Sequence, residues 1–381
     1  MHILGIETSC DETAASIVDD GRLVRSNVIS SQIELHRAHG GVVPELAARG
    51  QVQAIIPVVQ AAIAESGISR SEIDGVAFTH GPGLAGSLLV GVNAAKALGY
   101  ALKLPLIPIN HLEAHVYANW LLPTTGEFIE EPALPAICLL VSGGHTEIRL
   151  IADASSYEIL GRTRDDAAGE AFDKGARLLG LGYPGGPAIQ LASEGGDPIA
   201  FSLPRAWLDN ERGHDHNRDH SFDFSFSGLK TALLRLVEPY RLPDDESAPP
   251  DPAALFPKHR SPHFRDDMPL ADLAASYETA IIDVLVAKTA RAAVAAGART
   301  VMLAGGVAAN SRLRERLQSA VTHTWEASGR TGAVPETRWP DPIYCTDNAA
   351  MVAGLGYRRL IDGATAGLDV DAYPRFPVAH P

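Results

Sequence analysis

The chain has 381 residues, 46% of them hydrophobic and 20% charged, with a formal net charge of −14. That length exceeds one ordinary core and calls for two domains, while the charge excludes broad nonspecific binding to nucleic acid, which needs clustered lysine and arginine. The first residues do not read as a cleavable leader, no apolar run long enough to span a bilayer is evident, and three cysteines without a CxxC pair argue against a disulfide framework; a cytoplasmic protein is expected.

The opening "HILGIETSCDETAASIVDDGRLVRSNVIS" reads as three short strands, with the "DDG" hairpin signal at Asp19 to Gly21. A long helix is expected from about Pro44 to Glu65, followed by the strand "IDGVAFTHG", a helix after its glycines, and the strand "LPLIPIN". "GPGLAG", Gly81 to Gly86, matches the dinucleotide pattern G-x-G-x-x-G, but the acid that should bind a ribose further on is missing. No "GK" dipeptide occurs, which excludes a Walker P-loop.

"INHLEAHVYANW" then places His111 and His115 four apart, so a helix here presents both imidazoles on one face. The zinc peptidase pattern H-E-x-x-H needs an acid directly after the first histidine; Leu112 stands there, and Glu113 is rotated about 100° away. The pair is either a metal site or a pair of capping or solvent-facing groups.

From Ala136 the plan restarts. "AICLLVSGGHTEIRLIADASSYEILGRT" is again three strands, and "TVMLAGGVAANSRLRERL" repeats the order strand, glycine turn, helix of "GVAFTHGPGLAGSLLVGVNAAKAL". Two topologically related lobes flanking a cleft follow from this duplication, 1–125 and 133–381. In the second lobe the turn Ser142 to Gly144 either wraps a phosphate or is a plain hairpin turn. With "LGYPGGP", "LAGGVAAN", Asp173 and Asn310 it suggests a nucleotide pocket. Two segments stand outside the plan: 210–221, a polar loop with His214, His216 and His220, and 238–270, whose prolines and mixed charges oppose regular structure. Basic patches for RNA are sought in Arg291 to Arg299 and in Arg312, Arg314 and Arg316.

"GIETSCDETAASI", "HGPGLAGSLLVG", "NHLEAH", "LLVSGGHTE", "DDAAGEAFDK", "YPGGP", "DFSFSGLKTAL", "LAGGVAANSRLR" and "CTDNAAM" together resemble the tRNA N6-adenosine threonylcarbamoyltransferase family of the bacterial TsaD type, in the family's order from Gly5 to Met351. The resemblance implies an α/β fold of two tandem ribonuclease-H-like lobes of the actin, sugar kinase and Hsp70 (ASKHA) class. It implies transfer of a threonylcarbamoyl group from threonylcarbamoyl-AMP to N6 of adenosine 37 in tRNAs reading codons that begin with A. A metallopeptidase, an older label for the family, and a small-molecule kinase of the same fold are the alternatives.

By the same resemblance His111, His115 and Asp347 are the ligands of one Fe2+, or of Zn2+. Leu140, Val141, Ser142, Gly143, Gly144, Asp173, Gly186 and Asn310 line the adenylate pocket, and Asp11 and Glu12 serve catalysis. Ala114 and Ala349 replace glycines common in the family. The implied partners are tRNA, a TsaB-type paralogue, a TsaE-type ATPase, and a separate synthase supplying the adenylate; the helix "PELAARGQVQAIIPVVQAAIAESG" is expected to dock the paralogue. Asp347 is expected to bring its carboxylate from the second lobe, clamping the lobes through the metal, or else only to cap the following helix.

Overall fold

The structure is a computed structural model that describes residues 1–153, 156–206, 214–215, 218–219, 221–243 and 261–375. It separates into two compact units, one of Met1–His36, Val42–Glu131 and Pro340–Pro381, the other of Arg37–Gly41 and Pro132–Trp339.

The first unit opens with the antiparallel strands β1 (His2–Glu7), β2 (Glu12–Asp19) and β3 (Leu23–Ser31). The β2–β3 turn carries Asp20 and Gly21 at φ of 47° and 74°, the left-handed pair that the "DDG" sequence favours. After α1 (Ile33–Arg37) comes α2 (Pro44–Ser66), which has proline in its first turn and ends on the left-handed Gly67. Strand β4 (Ile73–Gly81) runs parallel to β1, and α3 (Ala85–Leu102), β5 (Leu106–Asn110) and α4 (His111–Tyr117) follow. The sheet order is β3-β2-β1-β4-β5.

The second unit repeats this. Strands β6 (Ala136–Val141), β7 (Thr146–Asp153) and β8 (Ser156–Arg162) are antiparallel, and α5 (Ala168–Leu178) and α6 (Gly185–Ala192) follow. A two-stranded ribbon, β9 (His214–Asp215) with β10 (Arg218–Asp219), lies where a structureless loop was expected; His216 and His220 lie outside the described residues. Then come α7 (Ser227–Val237), α8 (Leu270–Ala296), β11 (Thr300–Ala304) parallel to β6, α9 (Ser311–Ala327), and β12 (Glu336–Arg338) parallel to β11. The order β12-β11-β6-β7-β8, read backwards, is that of the first sheet, so the expected duplication of a ribonuclease-H-like plan is present. In the segment 238–270, Glu238–Tyr240 forms a 3-10 turn and Arg241 bridges to Phe264; 244–260 lie outside the described residues.

The chain then returns to the first unit with α10 (Pro342–Cys345) and α11 (Ala349–Ile361). Residues 340–381 were expected in the second lobe. They fold with the first because α11 lies against its sheet, where Ala350, Met351, Val352 and Ala353 share a core with Ile3, Val18 and Ala77. Glycines make the contact close: a Cβ on Gly5 would strike the carbonyl oxygen of Ala349, and one on Gly356 the methyl of Ala77. A second core joins α2 and α3 to the sheet through Ile55, Val59, Phe78 and Val92. Contrary to the expectation from the sequence, α2 and α3 are each long and apolar enough to cross a bilayer, with a mean hydropathy of 1.2. Each packs one face on this sheet.

Candidate metal centre and nucleotide loops

In the first unit β5 ends at Asn110, whose side chain accepts hydrogen bonds from Leu112 N (2.9 Å) and Glu113 N (3.3 Å) and so starts α4 at His111. One helical turn then brings the rings of His111 and His115 together edge to face, with centroids 4.6 Å apart and planes at 80°. Asp347 arrives just ahead of α11. Its Oδ1 lies 3.0 Å from His115 Nε2 and 3.6 Å from His111 Nε2. The helix cap is Asn348, which accepts from Met351 N at 3.1 Å, so the capping alternative for Asp347 fails.

All three side chains belong to the first unit, which removes the expected clamp between lobes. Two imidazole nitrogens and a carboxylate oxygen, mutually within 4.8 Å, fit a divalent transition metal. Glu113 pairs with Arg359 of α11 at 2.5 Å, so the one acid between the histidines is committed elsewhere.

Glu7, which the sequence reading passed over, completes the centre. Fully buried at the end of β1, it accepts from Ser9 N (2.6 Å) and the Thr79 hydroxyl, and its Oε2 lies 3.2 Å from His111 Nδ1. Ser9 Oγ also approaches that nitrogen, at 3.2 Å. Nδ1 is thus tied to the protein, and Nε2 is left toward Asp347, as in carboxylate–histidine–metal sites. An acid ending a strand before a small polar turn was the only available signal.

Charges are tightly balanced. Burial pulls the His111 imidazolium down, but the carboxylates of Glu7 and Asp347 outweigh it and hold its pKa up to about 9. Burial opposes the Asp347 charge, yet His111 and the His115 hydrogen bond bring it to about 2. His115 is lowered by burial and by the charge of His111.

Asp11 ends the turn between β1 and β2, and Glu12 is the first residue of β2. Burial, then Asp347, then Asp11 push Glu12 up to about 9, and Asp11 hydrogen-bonds its carboxyl. "GPGLAG" holds this turn rather than a phosphate. Leu84 N donates to Ser9 O at 2.8 Å, a Cβ on Gly83 would stand 2.5 Å from that same oxygen, and one on Gly91 would strike Thr8 Oγ1.

The second unit collects the expected adenylate residues around α5. The turn Ser142 to Gly144 closes through Ser142 N to His145 O (2.9 Å) and rests on Gly169, whose N donates to Ser142 O at 3.2 Å. One turn along, Asp173 Oδ1 accepts from Gly185 N at 2.7 Å and fixes the start of α6 beside Gly186. Positions 169 and 173 share a helix face about 6 Å apart, so the two glycine turns are neighbours. A Cβ on Gly143, Gly144, Gly186 or Gly306 would meet nothing within 4 Å. Packing therefore does not demand these glycines, and their backbone is left open to approach.

Other expected pocket residues play structural parts. Leu140 and Val141 are fully buried strand residues of the core. Asn310 spends its side chain on Leu313 N (2.8 Å) and on Glu278 Oε1 (2.7 Å). The arginines sought for RNA are similarly engaged: Arg312 with Glu278, Arg316 with Asp283 (2.6 Å), and Arg314 with Ala308 O (2.6 Å).

A family model described as TsaD, tRNA N6-adenosine threonylcarbamoyltransferase, matches residues 23–354. Relatives of that name include those of Thermomicrobium roseum, 54% identical over 99% of this chain and 97% of the relative, and Symbiobacterium thermophilum, 47% identical over 98% and 95%. The chain belongs to the tRNA N6-adenosine threonylcarbamoyltransferase family. It is therefore a transferase of tRNA modification, not a peptidase or a small-molecule kinase. Similar solved structures include the activator of the 2-hydroxyisocaproyl-CoA dehydratase from Clostridium difficile with bound ADPNP, 12% identical over 95% of this chain and 97% of that one (TM-score 0.48). Full-length HypF is 13% identical over 94% of this chain and 46% of that one (TM-score 0.49).

Proposed function

We propose that the chain moves a threonylcarbamoyl group from threonylcarbamoyl-AMP to N6 of adenosine 37 in tRNAs reading codons that begin with A. The single observation that carries the mechanism is the placement, within one unit, of the acid turn Asp11–Glu12 beside the set His111, His115 and Asp347. The adenine amine is a weak nucleophile, because its lone pair is delocalised, so positioning and charge stabilisation must lower the barrier. N6 attacks the carbamoyl carbonyl carbon, the new N–C bond forms, and the C–O bond to phosphate breaks with its electron pair leaving on AMP. The proton from N6 passes to the hydrogen-bonded Asp11–Glu12 pair.

Backbone N–H groups of Gly143, Gly144 and Gly186 hold the phosphate of the adenylate, since these positions leave room for it. His111, His115 and Asp347 would hold an Fe2+ or Zn2+ ion, which would supply Lewis-acid chemistry there. Glu7 keeps the His111 ring turned so that Nε2 is presented.

The chain works in the cytoplasm, with threonylcarbamoyl-AMP from a separate synthase, a TsaE-type ATPase and a TsaB-type paralogue. The outer faces of α2 and α3 take the paralogue, because Val52, Ile56 and Leu89 are 64%, 55% and 45% exposed there. Mass spectrometry of nucleosides from tRNA incubated with the chain, these partners and the adenylate tests the reading. Threonylcarbamoyladenosine should form with the natural chain and fall at least 100-fold with Asp11→Asn/Glu12→Gln. Undiminished product from that double variant would remove the acid pair from the mechanism.

A further inference from the structure

The turn from Thr8 to Glu12 is held by backbone and side-chain groups at nearly every residue. Ser9 O accepts from Leu84 N (2.8 Å), and Asp11 O accepts from Gln32 N (3.2 Å). Cys10 O accepts from Ser87 Oγ of α3 at 3.1 Å. One side chain reaches both carbonyls that flank Asp11: Gln51 of α2 donates its Nε2 to Cys10 O at 2.9 Å and to Glu12 O at 3.0 Å.

Gln51 is fully buried, and its own Oε1 has no hydrogen-bond partner among the described residues. Around it, α2 buries Ala47, Ile55, Val58 and Val59. An amide in such surroundings with an unpaired oxygen is costly relative to an apolar side chain of the same shape, so stability alone does not account for it. What the amide gains is geometric. Its two bonds pin the peptide path on either side of Asp11 and so fix the directions in which Asp11 and Glu12 leave the chain, to the tolerance that a proton-accepting group requires.

We infer that Gln51 is a positioning residue for the transfer reaction, holding the Asp11–Glu12 turn in register through Cys10 O and Glu12 O. The inference rests on the reading that Asp11 and Glu12 accept the proton. Gln51 touches neither metal ligands nor the glycine turns, so its effect falls on the step the acids perform and spares binding.

The test compares Gln51→Met, which keeps the length and loses the donor, with Ser87→Ala, the double variant and Asp11→Asn/Glu12→Gln, with the full chain, partners, adenylate and tRNA present. For Gln51→Met, kcat should fall 10- to 100-fold with the KM for tRNA, the metal content and the far-ultraviolet circular dichroism unchanged. The basic-side shape of its pH–rate profile should shift from that of the natural chain. The double variant should lose more than the product of the two single losses, because Ser87 is the remaining donor to Cys10 O. A Gln51→Met enzyme with natural kcat and pH profile, alongside an inactive acid-pair variant, overturns the inference and leaves the acid reading intact. Natural activity in the acid-pair variant overturns that reading instead, and the inference with it. Should Gln51→Met lose tRNA affinity and folding together with kcat, Gln51 is a structural residue only.

Discussion

Glu7 decides which nitrogen His111 offers. Its carboxylate lies against Nδ1 and is itself fixed by Ser9 N and the Thr79 hydroxyl, so the ring has one orientation. Glu7→Gln keeps the shape but removes the charge, and metal affinity measured by chelator competition should fall 10- to 100-fold while the fold is retained. The same charges make the metal-free protein sensitive to pH. His111 has its pKa raised from 6.5 to about 9, and Glu12 from 4.5 to about 9. In both, folding favours the protonated form, so the stability they contribute is complete below the unfolded values and is lost as pH rises through about 9. Thermal melts of metal-free protein should therefore fall from pH 6.5 to 9; a melting temperature that rises across that window contradicts the assignment. The candidate ligands were legible, the histidines from their spacing of four and Asp347 from the resemblance that "CTDNAAM" helps to carry. Glu7 was not, since only the fold brings residue 7 to residue 111.

At the scale of elements, α2 was readable almost to its ends, because proline in its first turn and glycine after its last act locally. Membership of α11 in the first unit was not readable: it depends on Gly5 and Gly356 admitting a helix to the sheet, a long-range fit with no periodic signal. The arrangement separates two neighbouring residues by role. Asp347→Asn should lose bound metal with an unchanged melting temperature, whereas Asn348→Ala should cost about 1 kcal/mol by denaturant unfolding, as a lost cap does. Equal destabilisation by both would make Asp347 part of the cap. On α2, Val52→Glu/Ile56→Glu places charges on the exposed face and should abolish copurification with the paralogue, leaving the melt unchanged. Retained binding would move the interface elsewhere.

For the whole molecule, one five-stranded plan used twice explains how a chain of this length carries two kinds of candidate site. The first copy gathers carboxylates and imidazoles at the ends of β1, β5 and the turn before α11; the second gathers open glycine turns around α5. Duplication was visible as repeated strand and glycine patterns, but the division of labour was not, since it depends on which unit residues 340–381 join. The central claim is that the transfer needs a metal held by His111, His115 and Asp347 of the first unit. It is tested most directly by measuring threonylcarbamoyladenosine in tRNA after the chain has been stripped with a chelator and then reloaded with Fe2+ or Zn2+. Product should vanish on stripping and return on reloading for the natural chain, and should fail to return for Asp347→Asn; full-rate modification by the metal-free protein would contradict the account.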